Sequence, residues 1–236
     1  MGYSCLFNDC FRIEVEVNVM LKLPPKKIIY NDQIELRLMS PRDAHPIYQG
    51  VISSLPELKQ FMSWAHFDSD VNKACTIYAD FEAKSLRGEE INFAGFDFHT
   101  GEFLFCCSLL AGSRLNPLAF EIGYWVSSPN TGKGLGTIAV KILIALAFSE
   151  YQANRVSVVC NLENKRSLKV IENAGFVFEG VLRNYLIQPT DEMITNGYSF
   201  ITDVQAFSIT PKDIPSLIWF SDFNKKLLII PYYSTS

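Results

Sequence analysis

Three glycines at alternate positions, Gly132, Gly134 and Gly136, stand between the strand-like run Glu121-Ile122-Gly123-Tyr124-Trp125-Val126 and an amphipathic helical stretch. Glycine lets a turn point consecutive N–H groups to one side, and the start of a helix adds partial positive charge. Together they make an anion cradle that needs no basic side chain. The spacing is not Gly-x-Gly-x-x-Gly, and no Gly-Lys-Ser/Thr closes the loop, so the lysine is misplaced for a nucleoside-triphosphate site. Taken alone, a triple-glycine turn serves either a phosphate site or a tight structural turn.

The elements around this loop follow from periodicity. Ile138, Ile142, Ala145, Leu146 and Ser149 share one face of a helix after the glycines. Upstream, strands are expected at Ile34 to Leu38, Ile91 to Phe98, Phe103 to Leu110 and Ala119 to Val126, the middle pair forming a hairpin around His99-Thr100-Gly101. Helical stretches are expected after Ser40-Pro41 through Tyr48, around Pro56 to Trp64, and from Cys75 to Leu86 with a stop at Gly88. Downstream come a strand at Val156 to Cys160, a helix from Lys165 to Asn173 capped by Gly175, and strands at Phe176 to Ile187 and Tyr198 to Ile209. This mixed order predicts an α+β fold, an α/β sandwich with helices on the faces of a mixed sheet.

The chain has 236 residues, 48% hydrophobic, 19% charged and 13% aromatic, with a net charge of −4. That balance fills a core and excludes disorder, collagen and coiled coil, and the bulk charge does not favour nucleic acid. No apolar run reaches the roughly 20 residues that span a bilayer, and no secretory signal is readable at the N-terminus. The six cysteines include no Cys-x-x-Cys pair and the three histidines have no partner at ligand spacing, so reduced thiols, a cytoplasmic compartment and no metal site are expected.

One catalytic-sized domain, 31–210, is flanked by extensions 1–30 and 211–236. Residues Arg12 to Val19 alternate as a strand would, and Met20 offers a second start as well placed as Met1. The apolar runs Leu217-Ile218-Trp219-Phe220 and Leu227-Leu228-Ile229-Ile230 suit a hairpin over the sheet edge or an oligomer contact such as a homodimer.

The glycine loop resembles motif A of the GNAT acetyltransferase superfamily, Arg/Gln-x-x-Gly-x-Gly/Ala. Gly134 and Gly136 match, and Thr131 stands where Arg or Gln is usual. Asn161-Leu162-Glu163-Asn164-Lys165-Arg166-Ser167, leading to Glu172-Asn173-Ala174-Gly175-Phe176, is similar to motif B. With the Glu-Ile-Gly-Tyr-Trp-Val strand and Glu179-Gly180-Val181-Leu182-Arg183-Asn184, the chain resembles the RimJ/RimL-like branch over roughly 34–210.

The resemblance implies a GNAT-like fold: a central, mostly antiparallel twisted sheet that splays after its fourth strand, often at a β-bulge. Acetyl-CoA would lie in the cleft, and no metal is called for. The backbone of Tyr124, Trp125 and Val126 would pair with the pantetheine arm. The N–H groups of Gly132, Lys133, Gly134, Leu135, Gly136 and Thr137, after Thr131, would hold the pyrophosphate, and Asn164, with Asn161 in the same motif, would bind beyond the splay.

The implied activity is acetyl transfer to a primary amine, either a protein N-terminal α-amine or a small-molecule amine, by direct attack in a ternary complex. An α-amine, with pKa about 7.7–8.0, is easier to deprotonate than a lysine at about 10.4. Glu121 is the base candidate, the Val126 N–H the oxyanion donor, and Ser167 the donor to the leaving sulfur, since Ile171 occupies the position of the tyrosine used by many members. Leu186 stands where the branch's ribosomal enzymes carry a Glu, and Phe105 replaces a common glycine. Thr131, Ile171 and Leu186 leave a non-catalytic CoA-binding module as the alternative. Phe61, Trp64 and Tyr124 are candidates to wall the acceptor site.

Overall fold

Every position from Ile91 to Phe96 is buried, which a strand experiences only when both faces of its sheet are covered. The computed structural model describes residues 23–66, 70–111, 116, 118–186, 190–195 and 202–232. In chain order its strands are β1 (Lys27–Tyr30), β2 (Ile34–Leu38), β3 (Glu90–Asp97), β4 (Phe103–Ala111), β5 (Ala119–Val126), β6 (Arg155–Asn161), β7 (Val177–Leu182), β8 (Val204–Ile209) and β9 (Leu227–Ile230). The helices are α1 (Ala44–Ile52), α2 (Leu55–Leu58), α3 (Val71–Arg87), α4 (Leu135–Ser149), α5 (Lys165–Ala174), α6 (Asp191–Thr195) and α7 (Phe220–Asn224).

The strands form one sheet in the order β7-β8-β6-β5-β4-β3-β2-β1-β9. All neighbours are antiparallel except β5 and β6. On one face, Ile91, Phe93, Phe120 and Val156 pack with α4 and the buried side of α5. On the other, Ala94, Phe96 and Cys106 pack with Ala44 and Ile47 of α1 and Ala74 and Tyr78 of α3. This is the expected α+β sandwich. Among the described residues no helix is long and apolar enough to cross a membrane.

Several boundaries differ from the sequence reading for local reasons. Helix α3 begins four residues before Cys75, because Asp70 caps it by accepting the Lys73 N–H at 2.8 Å. The stretch around Pro56 to Trp64 divides into the short α2 and a 3-10 turn at Ser63–His66. Strand β7 stops at Leu182 and β8 starts at Val204; Tyr198 and the run Arg12 to Val19 lie outside the described residues. Helix α4 is buried on more than one face, since α5 and α7 cover the side turned away from the sheet.

Both extensions reach the sheet. Strand β1 pairs with β2 and with β9, so residues on either side of the central segment close one edge. Of the two arrangements considered for the C-terminal apolar runs, the second run takes the sheet edge as β9. The first packs inward: Leu217 is buried, the Trp219 indole N–H donates to the Ala174 carbonyl at 3.2 Å, and Lys141 lies 4.6 Å over its ring.

Candidate active site

The chemistry collects where β5 and β6 separate. They are paired only at Ala119↔Arg155, Phe120↔Val156 and Glu121↔Ser157. Beyond Glu121 the strands part, so the sheet opens after the strand that the sequence reading counts as fourth. The ladder between β4 and β5 shows no register shift. The opening therefore needs no bulge in β5, contrary to expectation, and the central irregularity lies instead at Gly95/Phe96.

The same ladder decides which main-chain groups face the opening. The Ser127 N–H donates to the Leu104 carbonyl at 2.9 Å. Antiparallel strands alternate between bonded and non-bonded pairs, so Trp125, opposite Cys106, spends its N–H and C=O on β4. Tyr124 and Val126, opposite Cys107 and Phe105, turn theirs the other way, into the gap. Of the three expected backbone partners, two face the opening and Trp125 does not.

Immediately after β5 the glycine loop wraps the N-terminus of α4. Gly132 and Gly134 have φ of 77° and 78°, the left-handed conformation that favours glycine. Among the described residues, no hydrogen bond uses the N–H groups of Gly132, Lys133, Gly134, Leu135, Gly136 or Thr137. Those of Leu135, Gly136 and Thr137 are the unpaired first-turn donors of the helix. Gly136 sits against Val170 of α5. The Thr131 hydroxyl is occupied, donating to the Ser128 carbonyl at 2.9 Å.

A residue that sequence reasoning missed secures this loop. Asn130 is 2% exposed and its amide nitrogen donates to Glu102 at 2.9 Å and to Ser127 Oγ at 3.1 Å. Its oxygen accepts the Lys133 ammonium at 2.6 Å. Asn130 follows a proline in a turn-forming run, and nothing in the sequence marks it as buried.

Across the opening stands the first turn of α5. Asn164 caps it, its side-chain oxygen accepting the Ser167 N–H at 3.0 Å. The Asn161 side chain accepts the Glu163 N–H at 2.9 Å and shapes the turn before the helix. The Ser167 hydroxyl lies 2.8 Å from that of Tyr124, whose ring spans from β5 to α5. Tyr124 thus faces α4 and α5 and does not wall the opposite face with Trp64. Trp125 takes that place, its ring 6.0 Å from Trp64 and 5.4 Å from Phe103.

Glu121 occupies the last paired rung. It borders a cavity of about 420 Å³, lined also by Ser157, Val159, Glu179, Leu182 and Tyr185. Burial raises the Glu121 carboxyl above the usual carboxylate range, and a hydrogen bond from the Tyr185 hydroxyl, at 3.2 Å, partly offsets this. On the same wall Arg155 forms a two-pronged pair with Glu179, which also accepts from Ser208 Oγ at 2.8 Å. These contacts hold the Glu179 carboxyl at about 2. Two carboxylates in one cavity are thereby driven in opposite directions. Leu186 supplies no acid–base group; its N–H donates to the Thr202 carbonyl at 2.9 Å.

The chain and its fold are similar to those of known proteins. Residues 33–177 match the Acetyltransferase (GNAT) domain family. YdaF of Bacillus subtilis (strain 168), named an N-acetyltransferase, is 31% identical over 159 residues, covering 66% of this chain and 84% of that protein. The ribosomal-protein-serine acetyltransferase of Escherichia coli (strain K12) is 26% identical over 180 residues, 74% of this chain and 96% of that one. Among solved structures, the microcin C7 self-immunity acetyltransferase MccE, in complex with acetyl-CoA and AMP, superposes with a TM-score of 0.69 at 22% identity, covering 80% of this chain and 98% of that chain. With the fold, the loop and the domain match in agreement, this chain belongs to the GNAT acetyltransferase family.

Proposed function

We propose that the protein transfers the acetyl group of acetyl-CoA to a primary amine, with a peptide N-terminal α-amine as the favoured acceptor. The carrying observation is the rung Glu121↔Ser157: on one side the strands part toward the amide-lined loop, and on the other a cavity opens against Glu121. The residues fit the co-substrate. Unpaired N–H groups from Gly132 to Thr137 suit a diphosphate, and the main chain of Tyr124 and Val126 offers strand-like pairing to a flexible arm.

Acetyl-CoA supplies an acyl group activated as a thioester. Within this frame, Val126 directs its N–H at the carbonyl oxygen where negative charge develops. Glu121, with its raised affinity for protons, accepts the proton that an ammonium must lose before it can attack. Ser167 donates to the sulfur as the C–S bond breaks. Asn164 offers its amide nitrogen beyond the fork.

The cavity favours an α-amine for two reasons. Such an amine needs only a modest base, about 2.5 units weaker in proton affinity than a lysine, and a carboxylate at the mouth attracts a cationic terminus. Apolar Val159 and Leu182 beside it accept a side chain. A small-molecule amine is the second acceptor class this space admits. Free thiols at Cys75, Cys106, Cys107 and Cys160 suit the reducing cytoplasm, where we place the protein.

The test is direct. Purified protein is mixed with acetyl-CoA and a panel of peptides with free or blocked N-termini, polyamines and amino sugars, and products are read by mass spectrometry with thiol release. Acetylation of free-terminus peptides that is lost with the Glu121→Gln variant supports the proposal. Tight acetyl-CoA binding without turnover on any amine would make the protein a CoA-binding module instead.

A further inference from the structure

The Tyr124 and Ser167 hydroxyls, 2.8 Å apart, meet between β5 and the first turn of α5. The Ser167 main-chain oxygen, 3.3 Å from the phenol, is the longer of the two acceptors within reach of its single proton. Tyr124 is one of the two β5 residues whose main-chain groups face the opening. Its backbone and its hydroxyl therefore border the same space from two sides.

A serine hydroxyl rotates freely and carries one proton and two lone pairs. Ser167 can act on a departing sulfur only if that proton points into the opening. Its nearest competitor for an orientation is Tyr124. The Cys160 thiol is a second hydrogen-bond partner of the Ser167 side chain; its own proton is directed at the main-chain oxygens of Asn161 and Asn164, at 3.4 and 3.7 Å.

We propose that Tyr124 is a positioning residue for Ser167: its phenol donates to Ser167 Oγ and so directs the serine proton at the sulfur leaving the acetyl group. The inference rests on the N-acetyl transfer proposed above. In that reaction the C–N bond forms and the C–S bond breaks. The electron pair leaves with sulfur. Of the two protons the ammonium gives up, Glu121 accepts the one lost before attack, and the one lost as the adduct collapses passes through solvent to the departing sulfur, which leaves as the free thiol. Ser167 and Tyr124 keep their own protons throughout. Burial raises the Tyr124 phenol well above its ordinary range, which keeps it a donor at every working pH.

A double-mutant cycle on the full-length protein tests this, with kcat and KM for acetyl-CoA measured by radiolabelled acetyl transfer and folding checked by thermal unfolding. Tyr124→Phe is expected to lower kcat about tenfold, the worth of one well-placed hydrogen bond, with KM changed less than about twofold. In a Ser167→Ala background the same change should alter kcat by less than about twofold, because its target is gone. In a Ser167→Thr background, which retains a hydroxyl, the loss should return.

Equal losses with and without the Ser167 hydroxyl would overturn the inference, as would an effect confined to KM or a Ser167→Ala variant without measurable turnover. A rate increase in Tyr124→Phe would overturn it too, by showing that Ser167 donates to the phenol. A wild-type protein that transfers acetyl to no amine removes the proposed function and this inference together. Turnover with an additive cycle removes the inference alone.

Discussion

Gly95 and Phe105 face each other across the β3–β4 ladder, and the Phe105 ring fills the space a side chain at Gly95 would occupy. A Cβ built on Gly95 falls 2.5 Å from the ring's Cζ. Phe105 is fully buried there, in the core shared with α4. The Phe105 ring is thus accommodated by a glycine opposite it. Gly95→Ala should destabilise the fold by about 1–3 kcal/mol, the usual cost of overpacking a filled core. Combining it with Phe105→Leu should recover part of that loss. Urea denaturation of the two variants checks both statements.

Asn130 couples β4 to the glycine loop through Glu102, Ser127 and Lys133. Asn130→Ala leaves buried polar groups unpaired, and about 1–3 kcal/mol of stability should be lost. Asn130→Asp keeps the shape but brings a negative charge beneath the amides. It should weaken CoA binding more than Asn130→Ala does, and calorimetry with CoA reads the order of the two.

The glycine loop, the motif B turn and the chain positions of β2 to β8 were legible from the sequence, because each rests on local chemistry: glycine at special backbone angles, an Asn cap, alternating apolar residues. Strand β1 and the order of strands in the sheet were not, since both depend on pairing between distant segments. Orientation was less so. Periodicity alone did not reveal that Trp125 turns its main chain to β4 while Tyr124 and Val126 face the gap. That follows from which carbonyl the Ser127 N–H meets, a tertiary fact. The roles of Asn130, Tyr185 and the Arg155–Glu179 pair were hidden for the same reason, since each links segments far apart in the chain. The β9 edge was visible only as one of two arrangements for an apolar run.

Activity should depend on pH through Glu121. Burial disfavours its charged form, so the acidic limb of kcat/KM should lie above the ordinary carboxylate range. The Tyr185 hydrogen bond favours the carboxylate and opposes that shift. Removing it with Tyr185→Phe should move the limb to still higher pH, and Glu121→Gln should abolish the limb. A limb unmoved in Tyr185→Phe would disconnect the phenol from the base.

The Arg155–Glu179 pair makes an opposite contribution to stability. A carboxyl depressed to about 2 in the folded state stabilises the protein above the unfolded carboxylate value, near 4.3, and loses that contribution as pH falls toward 2. Both side chains are about one-third exposed, so solvent limits the gain. Arg155→Met should cost under about 1 kcal/mol at neutral pH, with the difference from wild type vanishing near pH 2. Denaturation midpoints across that range show whether it does.

The most direct test of the central claim is amide hydrogen exchange followed residue by residue with and without acetyl-CoA. Slower exchange on binding is expected at Gly132 to Thr137, Tyr124 and Val126, with Trp125 already protected by β4 and unchanged. Binding that leaves the loop and the two gap-facing β5 amides exchanging as before would contradict it.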